Sequence, residues 1–419
     1  MKFEDYKFSD KVKLALVGLG FRRPTDIQHK SIPNILKGED LLAVAQTGTG
    51  KTGAFAIPVI DMIYMRKKKE RRKTGAKCLV LAPTHELALQ LEEVFNKIAK
   101  YTSVKIGAII GGVDQEPQIE QLKKGIDIVI ATPGRMFDLI SQGHLQTHQI
   151  EILILDEADH MLDLGFIKDI KDLIYKLPKR RQTLFFSATI NNKIKKIAYD
   201  LVKQNAIRIQ LSPKDPVAKN IEHSVIFVEM DDKRHFLERI MKENPDNKIL
   251  VFVRTKVRAE RVKKAMARVE IDSLTLHGDK VQEERTEVLH RFSKGEVRLL
   301  IATDISARGI DIADIDMVIN YDLPDEAENY VHRVGRTGRG RNKGDAYSFC
   351  AKEERPKLKE IQSFLEKDIA VLNITKGEYK EIVETKDELK PKGENDISGM
   401  MAEIAALEEL KKGKSKKKR

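Results

Sequence analysis

The chain has 419 residues, 41% of them hydrophobic and 33% charged, with a formal charge of +12. That length suits two or three packed domains, and no apolar run is long enough to span a bilayer as a helix, so no membrane is expected as a partner. Two cysteines are too few for a disulfide framework or a structural zinc site. The sequence therefore predicts a protein of a reducing compartment, placed in the cytoplasm and taken as a monomer.

The charge is unevenly placed. Lys411 to Arg419 carries seven basic side chains, and Arg66 to Lys73 carries seven basic and one acidic. The rest of the chain is close to neutral. Basic runs of this kind are commonly solvated loops or tails, and two of them in one chain favour a polyanionic partner.

In chain order, the first half reads as strands at 40–46, 78–84, 104–111, 127–133, 150–156 and 183–189, separated by helical stretches such as Glu86 to Lys100. The second half repeats the scheme at 223–230, 248–255, 272–277, 297–304, 316–322 and 345–350. Strands alternating with helices predict parallel sheets covered on both faces, so the fold class is α/β with two tandem domains. The predicted boundaries are 1–210 and 221–378, joined by a linker at 211–220 that contains Pro213 and Pro216. From 379 the chain reads as a charged, largely disordered basic tail. It has one short helical pattern at Gly399 to Lys412.

The chemistry-bearing motifs lie at predicted strand ends, where open α/β sheets bind ligands. Ala45-Gln46-Thr47-Gly48-Thr49-Gly50-Lys51-Thr52 sits between a strand and a helix. Glycines let backbone N–H groups close on phosphate oxygens. Lys51 would hold the β- and γ-phosphates, and Thr52 would ligate Mg²⁺. Asp156-Glu157-Ala158-Asp159 follows the apolar run Ile152 to Leu155. Crowded carboxylates need a cation or a water to balance them; an acidic turn with Asp159 capping a helix is the plainer alternative. On the first reading Asp156 is the metal-side acid and Glu157 the base for an attacking water. Gln28 offers a donor and an acceptor that match an adenine edge, and Phe8 could stack on the base; a helix-surface glutamine and a core phenylalanine are the plainer alternatives. His332 to Arg339 spaces arginines with glycines, which suits a developing phosphate charge or, as the plainer alternative, a basic helix-to-loop surface.

With these residues in place, the chain resembles a DEAD-box ATP-dependent RNA helicase from about Phe8 to Leu372. The ordered set comprises the segment ending at Gln28, the phosphate loop, Pro83 to Ala88, Gly111-Gly112 and Thr132 to Arg135. It continues with the acidic tetrad, Ser187-Ala188-Thr189, Val251 to Arg254, Gln282 to Arg285, Thr303 to Asp311, and His332 to Arg339. The wording around Arg254-Thr255-Lys256 and His277-Gly278-Asp279-Lys280, with the basic tail, resembles the bacterial RhlE-like branch.

The resemblance implies two RecA-like domains that close on ATP, Mg²⁺ and RNA. ATP would meet Phe8, Gln28 and the loop 45–52, with Asp311 at the ribose. Arg336 and Arg339 would reach the γ-phosphate. Asp159, Ser187, Thr189 and His332 would couple nucleotide to closure. RNA would contact His85, Gly112, Thr132 and Arg135 on one side and Arg254, His277, Gly278 and Thr303 on the other. One departure stands out: His85 occupies a position where the family has arginine. This predicts a weaker phosphate contact there, strengthened near pH 6. A DNA translocase and a non-hydrolysing RNA clamp are the competing readings; Gln28 with Asp159 weighs against the first, and Lys51, Glu157 and Arg339 against the second.

Overall fold

The computed structural model describes residues 2–384, other than 47, 70–74, 190–191, 212–216, 218–219, 308–314 and 339–342. The first half builds strands β1 (Leu41–Ala45), β2 (Cys78–Leu81), β3 (Ile106–Ile109), β4 (Ile128–Ala131), β5 (Ile152–Leu155), β6 (Gln182–Ser187) and β7 (Ile207–Leu211). They pair in the order β3-β4-β2-β5-β6-β1-β7. The second half builds β8 (Ile221–Phe227), β9 (Ile249–Phe252), β10 (Ser273–Leu276), β11 (Leu299–Ala302), β12 (Met317–Asn320), β13 (Gly344–Cys350) and β14 (Ala370–Val371), in the order β10-β11-β9-β12-β13-β8-β14. Every pairing is parallel.

The strands are short and apolar because both faces are covered. In β2, Cys78 and Val80 join one core while Leu79 and Leu81 join the core on the opposite face. The second sheet divides in the same way, with Leu250 and Phe252 on one side and Ile249 and Val251 on the other. Successive side chains of a strand point to opposite faces, so a continuous apolar run is what a doubly covered sheet requires. Burial pushes the thiols of Cys78 and Cys350 up, which leaves both as packing groups.

Several details differ from the expectations. The strands β7 and β14 are additional. Edge strand β7 alternates inward and outward residues, and its Leu211, expected in the linker, pairs with Ala45. Strand β14 has two exposed residues, too few to give a pattern. Most predicted strands run one to three residues past the observed carboxyl ends, into the loops that carry the motifs. The stretch Arg66 to Lys69 is the last turn of the helix Lys51–Lys69, with Arg66 on Glu151 and Lys67 on Asp127.

The tail also begins later than expected, since Lys376–Glu384 is a helix. Tyr379 anchors it: the hydroxyl donates to Asp232 at 2.8 Å and accepts from the Glu229 amide at 3.0 Å, and the ring packs 5.2 Å from Phe236. The segment Gly399 to Lys412 and the final basic run lie outside the described residues.

Candidate active site between the two sheets

The loop after β1 turns through Gly48 and Gly50, at φ +77° and +92°, and the helix starts at Lys51. Close approach explains the glycines as much as φ does. A Cβ on Gly50 or Gly53 would sit 2.7 Å from the Gln28 side-chain nitrogen. Gln28 is 4% exposed. Its Oε1 accepts from the Thr25 amide at 3.0 Å, and its Nε2 donates to the Gly50 carbonyl at 3.0 Å. The glutamine thus ties its own helix start to the phosphate loop, keeping one N–H and one lone pair for a ligand.

Phe8, expected at the base, is instead a core residue. It is 5% exposed and stacks on Tyr6 at 5.3 Å, so no open ring face remains. The ring beside Gln28 is Phe21, which a Cβ on Gly53 would approach to 3.5 Å. Phe21 packs edge-on against Phe3.

Lys51 is 7% exposed, and its Nζ is buried with no hydrogen-bond partner. A desolvated ammonium in that state is costly. An anionic phosphate in the loop would satisfy it, and the Thr52 hydroxyl is adjacent in the same first turn. Thr49 closes the loop by donating to the Gln46 carbonyl at 2.7 Å; Ala45 ends β1, and Thr47 lies outside the described residues.

Across from Lys51 stand the acids at the end of β5. Burial pushes Asp156 up to about 7; the charges of Glu157 and Asp159 act the same way, while Lys51 opposes them. Glu157 differs although it is next in sequence. Burial alone would raise it, but His160, Lys51 and Arg336 outweigh that and hold it at about 2. His160 Nδ1 is 3.6 Å from the Glu157 carboxylate, and neither ring nitrogen has a hydrogen-bond partner. The Glu157 backbone is left-handed, φ 48° and ψ 50°, and its amide donates to Asp156 Oδ1 at 3.1 Å.

Asp156 yields a stability prediction of definite sign. Its folded value is above the ordinary 3.8, so ionising it costs the ligand-free fold stability as pH rises from about 4 to about 7. Asp156→Asn should therefore raise the melting temperature of nucleotide-free protein at pH 8. The gain is up to about 4 kcal/mol and should shrink towards pH 4.5. Thermal melts across that range check it.

Asp159 joins the two halves. Its Oδ2 accepts from the Ala188 amide at 3.2 Å and from the Thr189 amide and hydroxyl at 3.0 Å each. Ser187 Oγ donates to the Thr189 carbonyl at 2.7 Å. From the second sheet, His332 Nε2 comes within 3.8 Å of the same carboxylate. Arg336 is 4% exposed, and its Nε donates to the His332 carbonyl at 3.1 Å. Arg339 and Asp311 lie outside the described residues.

The expected RNA residues also end strands in both sheets. Arg135 donates to the Val113 carbonyl at 2.8 Å beside Gly112, whose φ is +71°. Thr132 precedes the helix Pro133–Ser141, and Thr303 follows β11. His277 Nε2 lies 3.0 Å from Glu260, and its Nδ1 is buried without a hydrogen-bond partner. Gly278 borders open space. Arg254 is pinned by Glu354 at 3.2 Å. Glu354 in turn takes a bond from the fully buried Lys233.

His85 is placed differently from the expectation. Its Nδ1 lies 3.1 Å from Gln282 of the second half, and its ring rests on Gly111 and Gly112. Arg285 donates to the adjacent Glu86 at 2.7 Å, and Gln282 to the same carboxylate at 3.3 Å. This four-residue bridge between domains was not assembled from the sequence. Its signals were the strings Pro83 to Ala88 and Gln282 to Arg285, neither of which carries an address for its partner.

The DEAD/DEAH box helicase family matches residues 25–197, and the helicase conserved C-terminal domain matches 232–341. The chain is 39% identical over 373 residues to the ATP-dependent RNA helicase RhlB of Shewanella halifaxensis, covering 88% of this chain and 85% of that one. Among solved structures, S. cerevisiae Dbp5 bound to RNA and ADP BeF3 superposes with a TM-score of 0.80 at 29% identity, over 88% and 95% of the two chains. A DEAD box protein from Methanococcus jannaschii is 36% identical over 89% and 99%, yet its TM-score is 0.51. Whole-chain overlap is thus greater with the RNA-bound structure than with the more identical one. The curated relative is named RhlB; the finer placement beside the RhlE-like branch stays an expectation of the sequence. The chain belongs to the DEAD-box family of ATP-dependent RNA helicases.

Proposed function

We propose that this protein hydrolyses ATP to close its two domains, 1–210 and 221–378, on RNA and separate or remodel short duplexes. The observation that carries this reading is the division of the site. Lys51, Asp156 and Glu157 come from the first sheet, and His332 and Arg336 from the second, and the two sets adjoin. The loop 48–52 and Lys51 bind the phosphates of ATP. Thr52 and Asp156 would hold Mg²⁺, which supplies charge neutralisation for phosphoryl transfer when bound. Glu157, ionised at neutral pH, accepts a hydrogen bond from the attacking water. Arg336 faces the charge that develops as the terminal phosphate leaves.

The coupling runs through Asp159. One carboxylate holds the Ser187-Ala188-Thr189 turn and neighbours His332, so nucleotide-driven movement of either half is felt by the other. RNA lies across the strand ends, held by Gly112, Thr132 and Arg135 on one side and by Arg254, His277, Gly278 and Thr303 on the other. With aromatics at 6% and no tryptophan, backbone and 2′-OH contacts outweigh base stacking, so little sequence is read. The two buried, unpaired cysteines suit a reducing cytoplasm.

The test is ATPase activity with no nucleic acid, with RNA and with DNA of equal sequence, each with and without a chelator. RNA should stimulate at least tenfold and DNA little, and chelation should abolish turnover. Equal stimulation by DNA would favour a DNA translocase; RNA binding without turnover would favour a clamp.

A further inference from the structure

Because every strand of the first sheet is parallel, the amino ends of β1 to β7 form one edge, opposite the edge that carries the ATP and RNA residues. The segments that enter these strands are 37–40, 66–69, 75–77, 100–105, 123–127, 146–151, 176–181 and 203–206. Together they hold fifteen lysines and arginines against four acids. Two of the acids do not face outward. Asp40 is 3% exposed and binds the Thr183 and Lys203 amides, and Asp127 is 8% exposed and binds the Lys105 amide and Lys67.

The same edge of the second sheet is a built-in comparison. Its described entering segments, 243–248, 267–272, 293–298, 315–316, 343 and 366–369, hold six basic residues and eight acidic ones. Among the described residues the excess is therefore local to one end of one domain, and strand pairing is what collects it from distant stretches of chain. The basic residues are also joined across strands: Lys67 Nζ reaches the Ser103 carbonyl at 2.8 Å, and Lys105 Nζ reaches the Lys124 carbonyl at 3.0 Å.

We propose that this edge is a second RNA-docking surface, which holds the phosphate backbone away from the cleft without reading sequence. Its exposed centre is Lys68, Lys69, Lys105, Lys124, Lys179 and Arg180. Seven strands at about 4.8 Å make a ridge roughly 30 Å long, enough to follow several successive phosphates. Such a surface anchors a structured RNA while the cleft works on one of its short duplexes. The inference rests on RNA being the substrate and adds a second place where it is held.

The experiment uses the full chain and the variant Lys68→Glu/Lys69→Glu/Lys105→Glu/Lys124→Glu, all at exposed positions. For an RNA of about 40 nucleotides, affinity at 0.1 M salt should fall at least tenfold, and the salt slope should lose about 2 to 3 units. ATPase at a saturating RNA of about 10 nucleotides, which reaches only the cleft, should stay within twofold of the parent. The Gln versions of the same four should give a smaller loss in the same direction. Unchanged affinity and slope for the long RNA would overturn the proposal and leave an acidic protein as the partner of this edge. A parent with no RNA-stimulated ATPase would instead sink the helicase reading itself, which keeps the two failures apart.

Discussion

Glu157→Gln should lower RNA-stimulated turnover by about 10²–10³-fold, with KM for ATP within about threefold and RNA binding retained. Glutamine keeps the side chain's length and one oxygen acceptor, so a water can still be oriented. It cannot take a proton or carry the charge that Lys51, His160 and Arg336 stabilise. Because Glu157 is held at about 2, it stays ionised across the working range, and any acid limb in the pH–rate profile above pH 5 belongs to another group. Its stability effect is opposite to that of its neighbour. A depressed carboxyl contributes stability that is present above the ordinary 4.5 and is lost as pH falls through about 2. At neutral pH, Glu157→Gln should therefore melt below the parent, by up to about 3 kcal/mol, where Asp156→Asn melts above it. Parallel melts with ATPase assays check both; a variant with parent-like turnover removes Glu157 from the chemistry.

That opposition between adjacent carboxylates could not be read from their letters. Asp156 and Glu157 share a local sequence, and what separates them is which of the two the His160 ring and, more weakly, an arginine roughly 180 residues on come to face. The features legible in the sequence are those with local causes. Gly48, Gly50 and Lys51 announce a phosphate loop because glycine φ and a helix start are short-range properties. The buried strands announce themselves because a parallel sheet covered on both faces needs unbroken apolar runs. What was missed depends on long-range contact or on how a ring happens to be covered. Phe8 and Phe21 are both aromatic residues before Gln28, and only packing against Tyr6 withdraws the first. His85 reads as a short substitute for a phosphate-binding arginine until Gln282, 197 residues later, is found bonded to it. The basic edge of the first sheet is spread over segments that look like ordinary loops one at a time; strand order brings them together.

Arg336→Ala should reduce kcat by about 10²–10³-fold while changing ATP affinity less than about fivefold. The asymmetry follows from where the groups sit. The phosphate loop, Lys51 and Thr52 belong to the first domain and bind nucleotide whether or not the cleft is closed. Arg336 comes from the second domain, follows the helix Ala327–Val334, and is held in place by its bond to the His332 carbonyl. It can act only in the closed arrangement, so its loss falls on the chemical step and on unwinding rather than on binding. It also helps hold Glu157 down, so removing it weakens the ionised state of the base as well as the charge facing the phosphate. Arg336→Lys should recover little, because an ammonium lacks the planar fork that spans two phosphate oxygens. Steady-state ATPase with RNA, beside nucleotide affinity measured by equilibrium titration, separates the outcomes. A drop in ATP affinity as large as the drop in kcat would place Arg336 in nucleotide binding. A kcat within threefold of the parent would mean that the second domain closes the site without touching the reaction.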